Sequence, residues 1–102
     1  MYYILDENNK PKKAELLEWA NWNGQVDVRK VKFDSIENGT GKINISTVFL
    51  GLDHNFDDNG PPLVFETMIF GGIHDQYQDR YSTFEEALAG HETALKLAQD
   101  SQ

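Results

Sequence analysis

The chain contains no cysteine in its 102 residues. That removes disulfides, thiolate nucleophiles and cysteine-ligated zinc together, and with no covalent trace of a redox compartment a cytosolic home is the expectation. Long apolar runs are missing too. The opening MYYILDENNK has only Tyr2 to Leu5 before Asp6 and Glu7, which lacks both the basic region and the apolar length of a signal peptide. No run approaches the ~20 residues of a membrane span. Basic residues are scarce, nine against 17 acidic ones, for a net charge of −8. Affinity for nucleic acid comes largely from lysines and arginines replacing counterions, so direct binding to nucleic acid or to an anionic membrane is disfavoured. Lys10, Lys12 and Lys13, and Arg29, Lys30 and Lys32, cluster among acidic neighbours and read as solvated faces. No nucleophile elbow, phosphate loop or dinucleotide fingerprint occurs, and Gly71-Gly72 reads as a turn after a strand.

What is present is the composition of a folded domain: 39 % hydrophobic and 12 % aromatic residues beside 25 % charged. A chain of this length supports one core, so residues 1–102 are expected to form a single domain. Tyr2 to Leu5 is a short β-prone run ended by the turn-forming DENNKP. From Lys13, the spacing of Leu16, Leu17, Trp19, Ala20 and Trp22 predicts a short amphipathic helix stopped at Asn23-Gly24, with both tryptophans packing at the core or its rim. Val26 to Phe33 alternates like a strand but changes phase between Val28 and Val31, as a bulge or an edge strand does. Asn38-Gly39 then suits a hairpin turn. Ile43 to Leu50 and Leu63 to Phe70 are apolar on both sides and predict central strands.

The last element has the strongest local signature. Ser82 with Glu85, or Thr83 with Glu86, fits a capping box, and the stripe Phe84, Ala87, Leu88, His91, Leu95, Ala98 keeps the helical period. A helix over 83–99 is ~25 Å long and an eight-residue strand ~26 Å, so the helix can lie along the sheet. The expected fold is α+β and two-layered, in the order β-α-β-β-β-α, with a mainly antiparallel four-stranded sheet packed by the C-terminal helix. The two-sided apolarity of 63–70 then needs a second cover, from the first helix or from a second subunit.

Chemistry is sought first in GLDHNFDDNGPP, residues 51–62, a connection longer than a hairpin needs. It places Asn55, Asp57, Asn59, Gly60 and Glu66 at positions 1, 3, 5, 6 and 12 of a calcium loop. Asn at position 1, Pro61-Pro62 at 7 and 8, and flanking strands in place of helices depart from that pattern. The plainer reading is a solvated acidic loop, with no metal or cofactor. His54 and His74 lie on either side of the strand 63–70, ~23–26 Å apart, too far to share a metal. His91 falls on the helix stripe, where a hydrogen-bonded core or interface histidine is expected. Glu66 shares a strand side with Val64, Met68 and Phe70, and such a charge calls for a partner, Arg80, Arg29 or a lysine.

The blocks STVFLGLDHNF (46–56), GPPLVFETMIFGG (60–72) and RYSTFEEALAGHE (80–92), with the opening YYILDE, resemble a family of small proteins encoded in bacteriophage and prophage genomes. The resemblance spans nearly the whole chain and brings no catalytic residue with it. What it implies is a setting: a small accessory protein in an infected bacterial cytoplasm. The expectation is a non-enzymatic protein-binding module or inhibitor with a protein partner, with the 51–62 and 72–81 loops as candidate surfaces and Asp53, His54, Asp57, Asp58 and Tyr77 as their contact residues. Two other classes compete with it. One is a small metal-dependent or acid-base enzyme built on His54, Asp53 and Glu66. The other is a structural homo-oligomer, such as a homodimer, joined through the second sheet face.

Overall fold

The computed structural model describes residues 1–25, 27–38, 41–55 and 60–100. In chain order the elements are β1 (Tyr2–Leu5), β2 (Pro11–Ala14), α1 (Leu16–Asn23), β3 (Lys30–Asn38), β4 (Gly41–Phe49), β5 (Phe65–Phe70), β6 (Gln78–Tyr81) and α2 (Phe84–Asp100). Strands β3-β4-β5-β6 form an antiparallel meander, and α2 packs along one face of it. The expected α+β architecture is therefore present, with two strands added. The fourth strand of the main sheet is β6, while β1 pairs with β2 in a separate hairpin.

Neither added strand has a strong β signature. PKKA and QDRY lack β-branched residues, and each is held by the backbone groups of a neighbour that would otherwise lose its partners. The β1–β2 turn uses the polar run foreseen there: Asp6 Oδ1 accepts from the backbone N–H groups of Asn8 and Lys10, at 2.8 and 3.0 Å. These bonds to the charged form hold the Asp6 carboxyl below the usual range. Because 11–14 is extended, the first helix starts later than its apolar spacing predicts, at Leu16. Trp22 packs edge-on against Phe49 and Trp19 lies against Tyr2. Gly51, at φ +78, lets the chain pass close to the Trp19 indole, where a Cβ would lie 2.8 Å from Nε1.

The irregularity expected between Val28 and Val31 occurs in β3, where the register with β4 shifts between Lys30 and Lys32. The strand itself runs later than predicted, to Asn38, which pairs with Gly41. Val26, Gly39 and Thr40 lie outside the described residues. Both predicted central strands are central, as β4 and β5. For α2, Thr83 and Glu86 are the pair that close the capping box, Glu86 N–H donating to Thr83 Oγ1 at 3.0 Å and Thr83 N–H to Glu86 Oε1 at 3.1 Å.

The helix side of the sheet is stacked in three layers. One apolar cluster joins Tyr3, Phe49, Val64, Phe65 and Ala87, and a second joins Ile43, Ile45, Ile69, Ala94 and Ala98. Between them lie Thr47, Thr67 and His91, all buried and polar. The buried face of α2 is made of small residues, Ala87, Ala94 and Ala98, with His91 between them. Small side chains let the helix sit close to the sheet. Gly90 continues that design, since a Cβ there would lie 2.1 Å from the Tyr81 ring.

Candidate interaction surface

The residues singled out in the sequence do not converge. Asp53 Oδ1 accepts from the backbone N–H groups of Asn55 (2.8 Å) and Leu63 (2.9 Å), so its carboxylate closes the loop it stands in. His54 is tied there as well, its N–H donating to Leu63 O at 2.9 Å. Asp57 and Asp58, and with Asn59 much of the calcium-like spacing, lie outside the described residues. Tyr77 is at the other end of the sheet: its carbonyl accepts from Ile69 N–H, six residues along from Leu63, and its ring packs on the Ile43–Ile69 cluster. Six residues of strand are ~20 Å. Asp53 and His54 therefore cannot share one patch with Tyr77. His54 and His74 are separated in the same way.

His91 is buried and hydrogen-bonded, as its place on the stripe implied. Its Nε2 lies 2.8 Å from Asp34 Oδ2 and its Nδ1 2.7 Å from Thr47 Oγ1, which lies 2.5 Å from Thr67 Oγ1. A carboxylate only accepts, so Nε2 carries a proton toward Asp34. Nδ1 shares a proton with the Thr47 hydroxyl, and that hydroxyl is bonded in turn to Thr67. The order carboxylate, imidazole, hydroxyl resembles a nucleophile relay, but Thr47 is 1 % exposed and its oxygen faces Thr67, with no room for a substrate carbonyl. What the network does is align α2: a slip along the sheet would strand three buried polar groups between two apolar clusters. Beside it, burial pushes the Tyr81 phenol up.

The other side of the sheet has no layer over it among the described residues. Helix α1, one of its two expected covers, packs on β1 instead. The pairing registers place three rows of side chains on this face: Lys30, Val48, Glu66, Arg80; then Phe33, Ser46, Met68, Gln78; then Ser35, Asn44, Phe70. Phe33 is 59 % exposed and Phe70 42 %. A groove of about 620 Å³ opens between Lys30–Phe33 and Ser46–Val48, where the β3 irregularity turns Phe33 outward. Glu66 has the partner sought for it: Arg80 Nε donates to Oε2 at 3.0 Å and Gln78 Nε2 at 2.6 Å. Val64, expected on this side, precedes the first residue of β5 and turns into the core.

Phe33 is the residue that sequence reasoning missed. Its face depends on where the irregularity falls, and a one-residue slip moves a side chain to the opposite side. Among the described residues no three histidine, aspartate or glutamate side chains are grouped to hold a metal ion, Asp53, His54 and Glu66 included. No helix there is long and apolar enough to cross a membrane. Comparison of the chain with protein-family models, curated proteins and solved structures returns no match.

Proposed function

We propose that this chain is a non-enzymatic module that acts by contact with protein, as an accessory protein of a bacteriophage or prophage in the bacterial cytoplasm, and that the open sheet face is its contact surface. The observation that carries this reading is the exposure of Phe33, beside a groove, and of Phe70 on a sheet whose opposite face holds the core. A sheet face with half-exposed aromatics and no covering layer keeps apolar surface in water that a partner can remove from it. The resemblance supplies the setting. The loops first considered for this role serve it less well, since the Asp53 carboxylate is spent on its own loop and Tyr77 faces the core.

The test is co-purification of the full chain from infected cells beside a Phe33→Glu variant and an Asp53→Ala/His54→Ala variant, each shown to be folded by urea melting. The expected result is association with protein, whether other copies of the chain or a different one, that Phe33→Glu abolishes and the loop variant keeps. Association lost only in the loop variant, or none at all, overturns the reading.

A further inference from the structure

We infer that the occupant of the open sheet face is a second copy of this chain, in a two-fold, sheet-on-sheet dimer with the α2 layers outermost; the inference rests on the proposal that this face is the contact surface.

The sheet edges do not serve the same purpose. Edge strand β3 carries Lys30, Lys32 and a register irregularity at one end, and β6 is only four residues long, with Asp79 and Arg80 in it. Short, irregular and charged edges discourage strand addition. Of the sheet itself, the open face is what remains for contact.

Charge then selects the partner. The charged side chains that the register assigns to the face are Lys30, Glu37, Lys42, Glu66 and Arg80, three basic and two acidic, for +1. Counting Asp27, ion-paired to Lys30 at 2.9 Å, brings the sum to zero. The chain as a whole carries −8, so its remaining charges sum to −9, or −8 with Asp27 on the face. A basic partner would be drawn to those acidic surfaces and not to this face. The face instead matches a surface with exposed apolar side chains, near-zero net charge and the same outline. Another copy of itself has those properties, and stacking the two sheets puts the acid-rich helices, with Glu85, Glu86 and Glu92, on opposite outer sides.

Shape agrees. Small Ser46 lies between Phe33 and Met68 in one row, and Ser35 and Asn44 stand beside Phe70 in the next. In a two-fold contact each copy's aromatics meet the other's low rows. Four strands ~4.8 Å apart and on average ~24 Å long give a footprint of about 450 Å², before side-chain relief is added. That is little more than half of the ~800 Å² per partner of specific interfaces, so the dimer is a weak, reversible one.

Sedimentation equilibrium of the untagged chain from 1 to 500 µM is the test, read together with the methyl NMR signals of its two methionines. Met68 is on the face and Met1 is not. Twice the 11.7 kDa chain mass is expected at the high end, with the Met68 signal moving on dilution and that of Met1 still. Phe33→Glu should weaken association at least 100-fold, while Leu17→Glu on exposed α1 leaves it unchanged. A chain that stays at 11.7 kDa to 500 µM, or a dimer that tolerates Phe33→Glu, overturns the inference. A monomer that still loses a different co-purified protein on Phe33→Glu would overturn the second copy and uphold the contact surface. A monomer with no such protein would overturn both.

Discussion

The two faces of the main sheet are built from the same four strands, yet one is closed and the other open. On the helix side Ile45, Phe49, Phe65 and Ile69 are fully buried. On the outer side Phe33 and Phe70 remain about half exposed. Alternation along a strand makes the two faces independent of one another, so the same backbone can hold a core and a contact surface at once. Substitutions on the inner face should therefore register in the folding of the monomer, and those on the outer face in association.

The sharpest contrast is between aromatics. Phe65→Ala should cost the monomer about 3–5 kcal/mol in urea unfolding, whereas Phe33→Ala should change it by less than about 0.5 kcal/mol; comparable losses would mean that the outer face is part of the core. Next is the polar layer. Thr47→Val leaves His91 Nδ1 buried without its partner and should cost about 1–3 kcal/mol, with Thr47→Ser recovering most of it. Gly90→Ala drives a methyl into the Tyr81 ring and should cost about 1–3 kcal/mol, although alanine is the better helix former. On the outer face, Arg80→Ala removes the Glu66 ion pair but leaves Gln78 in place, and should cost about 1 kcal/mol or less.

The smallest effect expected is in the pH profile. An unfolded tyrosine ionises near pH 10, and burial raises the Tyr81 phenol above that. The stability this phenol contributes is complete below about pH 10 and is lost as pH rises through its folded value. Tyr81→Phe should soften the alkaline fall in urea midpoint without abolishing it, because burial raises Tyr3 and Tyr77 as well. An unchanged alkaline limb would mean that the Tyr81 hydroxyl is wet.

Much of the fold was legible because its signals are local. The Thr83/Glu86 box lies within one helical turn, the irregular phase of β3 within a few residues, and Glu66 sought a cation that stood 14 residues away on the next strand. The His91 stripe foretold burial. Its partner was out of reach, since Asp34 is 57 residues distant and lies on a strand whose register could not be counted through an irregularity. The candidate surface was legible only in part. The apolarity of 63–70 pointed to a second face, while the distance of Tyr77 from Asp53 and His54 was set by β5, which holds them at opposite ends.

By itself the sequence determined the class of this protein: an acidic, cysteine-free α+β chain whose two most apolar strands are central and whose last helix is capped at Thr83. Those properties follow from composition, periodicity and contacts within a turn, which the chain carries before it folds. Tertiary structure decided which side of β3 faces water, that PKKA and QDRY are strands at all, and that α1 packs against the hairpin and leaves the sheet open. Each of these depends on pairing or packing between separate segments, and that is chosen by what the neighbour offers, not by the residue's own preference.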